Sequence, residues 1–418
     1  MAHLLMVESW VGSMSRLLPR AIREGGHEFT FLTRDLHHYL RSVPEGATHP
    51  LLGARNLITA DTNDTDALLP EIERLHAALR FDGVLTSCDY YLPTVARIAG
   101  QLGLAGSPPD AMQNACRKDA TRRVLADAGV AGPRFAVHEE WADIARAARE
   151  IGYPLVVKPV DLCAGMYVRR VEDEEQLNAA VRALTDFPVN ARGQRRQPTV
   201  LLEELLDGPE VSVETVSYAG AVHVVGVTDK SIGGSPAFIE TGHMFPAALS
   251  AADAEAAEQT ALAALKALGL TEGVVAHTEI KLTSAGPRVV EVNPRPAGNR
   301  ITELVRHVSG IDLAAAFVEV SLGRAPDLRR RDTGLRSAAI GFLVPETSGT
   351  LESLGGDGLR NAPGVLEVQL AEPGKQVKAA GSNNEYLGHV MAGDAEGLGA
   401  RDHVEVLLGE LRSGLVIR

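Results

Sequence analysis

Apolar and polar positions follow two rhythms along this chain. Up to about residue 115, short apolar runs (3–7, 28–32, 56–59 and 83–86) are separated by stretches with helical spacing (14–24, 68–79 and 92–102). Such runs read as buried strands, and strands alternating with helices predict a parallel sheet covered on both faces. Gly25-Gly26 closes the first helix, as glycine often does. Ligands of such sheets sit beyond the carboxyl ends of the strands, so the loops 8–15 and 87–91 are candidate walls of a substrate site. The Gly-x-Gly-x-x-Gly fingerprint is missing after the first strand, which argues against a nicotinamide cofactor.

Gly106-Ser107-Pro108-Pro109 interrupts this rhythm, and one helix is expected over 110–128 and another over 141–151. Next come an apolar strand ending in Lys158-Pro159, a small-residue segment over 161–168, a helix over 171–184 and a polar stretch, 186–198, that reads as a mobile loop. A strand at 199–202 precedes a hairpin of 211–218 with 222–228 across Ala219-Gly220-Ala221. Residues 231–245 read as loop, and 251–268 as an alanine-rich helix. Two strands, 276–282 and 288–292, follow across a turn, then helices at 300–308 and 313–322. A linker at 323–333 leads to an appended β module: 338–343, 350–354, 365–370, 376–377 and 384–391, with a closing helix from Glu396. The expected domains are 1–115, 116–325 (two subdomains, 116–198 and 199–325) and 326–418.

At 418 residues, 45% hydrophobic and 23% charged, the chain has the composition of a globular protein of two or three domains. The net charge of −13, with no long basic stripe, argues against a nucleic-acid partner. No apolar stretch approaches a membrane span, and the first ten residues lack the basic-then-apolar pattern of a signal peptide. Three cysteines without metal-ligand spacing fit a reducing, cytoplasmic setting.

The chemistry gathers in 275–300. Pairing its two strands brings Glu279 near Glu291 and Asn293, an all-oxygen set of the kind that suits Mg²⁺. Arg295 follows, able to meet an anion. Lys158 ends an apolar strand, where an anion is needed to neutralise it. The segment around Gly165 can wrap phosphates with backbone N–H groups. The stretch Glu203-Glu204-Leu205-Leu206-Asp207-Gly208-Pro209-Glu210 can line a flat heterocycle, with Glu204 and Leu206 at its edge and Glu210 accepting from ribose hydroxyls. Lys230 ends the hairpin's second strand, and Glu240 and His243 lie in the expected loop beyond it.

In this order and spacing, Lys118, Lys158-Pro159, the 203–210 stretch, Glu279 and Glu291-Val292-Asn293-Pro294 resemble the ATP-grasp superfamily over roughly two-thirds of the chain. Glu240-Thr241-Gly242-His243 with Pro246, and Asn293-Pro294-Arg295-Pro296-Ala297-Gly298, are most similar to the L-amino-acid ligases. The resemblance implies an ATP-grasp fold: a Rossmann-like N-terminal domain, two α+β subdomains clasping ATP, and a C-terminal β-rich domain. It implies that Lys118 and Lys158 bind ATP phosphates. Gly165, Glu203, Glu204, Leu206, Glu210 and Lys230 join the nucleotide site, and Glu279, Glu291 and Asn293 hold Mg²⁺, with Mn²⁺ as a substitute. Arg295 and the Gly298 backbone steady the tetrahedral adduct, with Glu240 and His243 beside the acyl phosphate and the amine.

The implied activity is ADP-forming carboxylate–amine ligation on small amino-acid-like substrates, in an enzyme for which a homodimer is common. Ala164-Gly165-Met166 departs from the family's Ser-rich phosphate loop, and Asn299 stands where some relatives carry a bulky aromatic residue. Two other classes are a biotin-carboxylase-like enzyme activating bicarbonate, though no Met-Lys-Met biotinylation signature is present, and a non-catalytic nucleotide binder.

Overall fold

The computed structural model describes residues 1–40, 48–356 and 358–418. The first apolar runs form β1 (His3–Val7), β2 (Glu28–Thr33), β3 (Asn56–Thr59) and β4 (Gly83–Leu85), parallel in the order β3-β2-β1-β4. Every residue of β1 and β4 is buried, as continuous apolar runs require between two helical layers.

The helix expected over 110–128 is two helices, Pro109–Ala115 and Lys118–Asp127. Arg117 adopts an extended conformation between them, and the Lys118 N–H bonds the Val160 carbonyl at 3.1 Å. The break starts the second helix at Lys118 and ties that residue to the segment after Lys158.

A second sheet, ordered β5-β8-β6-β7, contains β5 (Phe135–His138), β6 (Leu155–Pro159), β7 (Arg169–Val171) and β8 (Val200–Glu204). Successive side chains along a strand face opposite ways. Leu155 and Val157 therefore pack with Ile144, Ala148 and Leu177 of the covering helices, while Val156 and Lys158 face a cavity. The helix expected from residue 171 begins at Glu174, because Val171 still pairs with Leu155.

The polar stretch 186–198 is docked rather than mobile. Arg192 is buried: its guanidinium donates to the Ser9 carbonyl and lies over the rings of Trp10 and Tyr39. The Arg192 carbonyl in turn accepts from Arg34 and Asn63. Charge-assisted bonds and aromatic faces gave this short basic run a partner.

The largest sheet holds β9 (Glu210–Tyr218), β10 (Ala221–Gly233), β11 (Ile239–Phe245), β12 (Val274–Thr283), β13 (Gly286–Asn293) and β14 (Ser337–Leu343). After β14 come β15 (Gly349–Ser353), β16 (Val365–Leu370), β17 (Gln376–Val377), β18 (Gly388–Asp394) and β19 (Val416–Ile417). The order β13-β12-β9-β10-β11-β14-β18-β16 makes one eight-stranded sheet, so β14, β18 and β16 extend the central sheet, while β17, β15 and β19 form a separate three-stranded sheet. Residues expected as loop over 231–245 contain β11, paired with β10 on one side and β14 on the other.

The helix Ala251–Leu268, capped by Ser250, seats Ala257 and Ala261 against Val211, Val213, Val227 and Ile280. Small residues let helix and sheet approach closely and leave the other face of β9 to polar groups. At the entry to β9, Gly208 has φ +129, and a Cβ there would lie 2.2 Å from the Leu282 carbonyl oxygen. Only glycine fits that turn. No helix among the described residues is long and apolar enough to cross a membrane.

Candidate active site

The polar face of the central sheet is built by period-2 alternation. On β9, Glu210, Ser212 and Glu214 alternate with Val211 and Val213. In register beside them stand His277, Glu279 and Lys281 on β12, then Asn293 and Glu291 on β13. On the other side, Thr228 and Lys230 of β10 pair with Ser212 and Glu210. The Glu279–Glu291 pairing expected from the sequence is the register observed.

These groups form one buried chain of opposite charges. Lys230 Nζ lies 2.8 Å from Glu279, 3.2 Å from Glu210 and 3.3 Å from Glu240. Burial pushes the Lys230 ammonium toward its neutral form, but Glu240, Glu279 and Glu210 raise its pKa well above the ordinary lysine value. His277 stands between two carboxylates, with Nδ1 3.0 Å from Glu214 and Nε2 3.2 Å from Glu279. Burial lowers its pKa; Glu214 and Glu279 more than offset this and lift it to about 9.

The opposite wall carries Lys118 and Lys158. Lys118 Nζ is 2.8 Å from Glu291 and also donates to the Leu162 carbonyl. Lys158 Nζ is 2.6 Å from Glu203, whose other oxygen accepts from Arg122. Burial raises the Glu203 pKa, but Arg122 and Lys158 outweigh it and hold the carboxyl down to about 2. Glu203 is thus committed inside the protein and fixes the position of Lys158. Glu204 is likewise held by Arg134 at 2.7 Å. Glu210 faces Lys230 and, at 3.6 Å, Lys281.

Arg295 donates through Nε to both oxygens of Asp89, at 2.8 and 2.9 Å, and Trp10 Nε1 donates to the same carboxylate at 2.6 Å. Both N-terminal loops marked in the sequence therefore reach the site. Glu240 accepts from Asn299 Nδ2 at 2.5 Å and lies 3.0 Å from His243 Nε2. The loop before β18 closes the far side. Asn383 accepts from the Glu240 N–H and donates its own N–H to the Ala164 carbonyl, while the Tyr386 hydroxyl donates to the Glu240 carbonyl.

A cavity of about 440 Å³ joins these walls. The residues named from the sequence line it, except Lys230 and His243, which are buried beneath it. The sequence reading passed over Glu214, His277, Arg122 and Asp89. The signal for the first two was present: Glu-Val-Ser-Val-Glu and His-Thr-Glu place polar groups at every second position of otherwise apolar strands. Arg122 left no such mark, because its partner is 81 residues away, and Asp89 was marked only as part of the loop 87–91, its partner lying 206 residues away.

The donor chemistry fits Mg²⁺. Two carboxylates and an amide oxygen on neighbouring strands face a cavity that also presents lysines. No three His, Cys, Asp or Glu side chains among the described residues form a metal cage. A cation held by this set would need further oxygens, such as phosphate and water, to complete its shell.

Comparison with known proteins gives three family matches: ATP-grasp N-terminal domain over residues 20–106, ATP-grasp domain over 151–303, and L-amino acid ligase C-terminal domain 2 over 341–416. The structure of L-amino acid ligase from Bacillus licheniformis superposes with a TM-score of 0.82 at 25% identity, covering 100% of this chain and 98% of that one. Uncharacterized protein y4rH of Sinorhizobium fredii is 31% identical over 88% of this chain and 76% of its own length. Human carnosine synthase 1 is 28% identical over 78% of this chain, which spans only 40% of that relative.

Fold and site define a nucleotide-dependent ligase. The chain belongs to the ATP-grasp superfamily, in the group that carries the L-amino acid ligase C-terminal domain.

Proposed function

We propose that this protein is an ATP-dependent carboxylate–amine ligase that joins amino-acid-like substrates through an acyl phosphate, with release of ADP and phosphate. The observation that carries the reading is the register of Glu279 with Glu291, both facing the cavity that Lys118 and Lys158 line. An acid pair opposite two lysines is the arrangement a triphosphate and its cation require.

The backbone at 204–206 faces the adenine edge, and Glu210 the ribose. Lys118 and Lys158 neutralise the phosphates, and the loop around Gly165 covers them. Glu279, Glu291 and Asn293 would hold Mg²⁺, which supplies charge neutralisation across the phosphates. One oxygen of the acid substrate attacks the γ-phosphorus, and the bond to ADP breaks. The amine nitrogen then attacks the acyl carbon, loses a proton and expels phosphate, which keeps that oxygen.

Arg295, held by Asp89, and the Gly298 backbone face the oxygen that gains charge during this attack. Glu240, backed by the buried His243, sits where the amine arrives. The loop at 381–386 meets Ala164 and excludes water from the acyl phosphate. Incubation with ATP and mixed amino acids tests the reading. It predicts ADP, phosphate and an amide in equal amounts. AMP with pyrophosphate, or turnover that requires bicarbonate, rejects it.

A further inference from the structure

The floor of the cavity contains two groups that the proposed reaction does not use. Glu214 is fully buried and accepts from Ser212 Oγ at 2.7 Å, Thr228 Oγ1 at 3.2 Å and His277 Nδ1 at 3.0 Å. Three donors on three strands leave its carboxylate one orientation. The His277 ring is then fixed at Nδ1 and aims Nε2 at Glu279 Oε1, 3.2 Å away. Lys230 reaches the same oxygen at 2.8 Å. Neither contact uses Glu279 Oε2, so that oxygen is left to a ligand in the cavity.

A bent, isolated glutamate samples several rotamers, and a cation site built from one loses affinity to that freedom. Here the Ser212/Thr228–Glu214–His277 chain removes it. Burying a carboxylate and an imidazole costs free energy unless both are fully bonded. Apolar residues would have filled this space without that cost, as Val211, Val213 and Ile280 do on the opposite face.

We propose that His277, clamped by Glu214, is a positioning residue that fixes the Glu279 carboxylate and presents Oε2 to the divalent cation. The proposal rests on the reading of Glu279 as a cation ligand, and the test separates the two. Mn²⁺ affinity of the full chain is measured by electron paramagnetic resonance in the presence of ADP, for the wild type and for Glu279→Gln, His277→Gln and Glu214→Gln.

Partners behind a metal ligand are worth roughly 10–100-fold in affinity. His277→Gln is expected to weaken Mn²⁺ binding by about 10-fold or more, and Glu214→Gln in the same direction. The KM for the metal–ATP complex should rise more than kcat falls. If Glu279→Gln leaves Mn²⁺ affinity unchanged, the ligand reading falls and the clamp with it. If Glu279→Gln weakens binding while the other two stay within about 2-fold of wild type, the clamp alone is overturned. Should either variant fail to fold, the wild-type chain decides. The His277 Nε2 nitrogen resonance must shift when Mg²⁺ is added to the ADP complex, because the carboxylate that accepts from it gains a cation on its other oxygen. An unmoved resonance overturns the proposal.

Discussion

Glu279 and Glu291 face each other across β12 and β13, yet each carboxylate is held by a different lysine. Lys230 contacts Glu279 from beneath the cavity at 2.8 Å, and Lys118 contacts Glu291 from its far wall at 2.8 Å. The two acids thus have different surroundings. Glu279 is part of a buried network, while Glu291 pairs with the first residue of a separate helix.

That difference predicts separable effects at Glu291. Glu291→Gln removes a proposed cation ligand and the partner of Lys118, but leaves the adenine-facing segment 204–206 intact. Turnover should fall by at least about 100-fold, since several kcal/mol of charge stabilisation are lost. ADP binding by calorimetry should persist. A variant with undiminished turnover argues for a different cation site.

Glu203 predicts an acid limb of stability. Its folded pKa, near 2, lies below the ordinary carboxylate value because Arg122 and Lys158 outweigh burial. Its contribution is complete above about pH 4.5 and is lost as pH falls toward 2, on the order of 3 kcal/mol in all. Glu203→Gln should flatten the denaturant-measured stability over that window. At neutral pH it should cost about 3–5 kcal/mol, because two buried cations lose their partner.

Arg192 holds the stretch 188–196 against the N-terminal sheet. Arg192→Ala removes a charge-assisted bond to Ser9 and contacts with two aromatic rings. A loss of about 2–3 kcal/mol is expected. Hydrogen exchange should speed up in 188–196 and in the loop 8–15. Unchanged protection there would show that the rest of the segment suffices.

Asp89 fixes the Arg295 guanidinium, which is proposed to face the developing charge. Arg295→Ala should lower kcat by about 10²–10³-fold. Asp89→Asn keeps the shape and removes the charge, so it should lower kcat less and leave the KM for ATP unchanged. Steady-state kinetics with ATP and the acid varied in turn distinguish these outcomes.

The sequence made much of this legible, for identifiable reasons. β1, β3 and the helices Met14–Glu24, Leu92–Leu102, Trp141–Ile151 and Ala251–Leu268 were marked by apolar periodicity and by Gly, Pro and Ser at their ends. β11 was not, since Ile239–Phe245 contains Glu240, Gly242 and His243, and its neighbours come from β10 and β14. Arg192 looked like part of a mobile polar loop, because only the folded chain brings Ser9, Trp10 and Tyr39 around it. Glu203 was read as facing the nucleotide. It lines the cavity, and Arg122, remote in sequence, holds its carboxylate together with Lys158. The polar floor lay in the alternation of β9 and β12, hidden by strong apolar residues between its members.

The most direct test of the account follows one oxygen. Acid substrates labelled with ¹⁸O in the carboxylate are supplied with ATP and an amine, and the released phosphate is analysed by mass spectrometry. Activation at the γ-phosphate predicts one ¹⁸O in inorganic phosphate for each amide formed. Amide formation with unlabelled phosphate, or with the label in AMP, would contradict the role assigned to the Glu279–Glu291 pair and the lysines that face it.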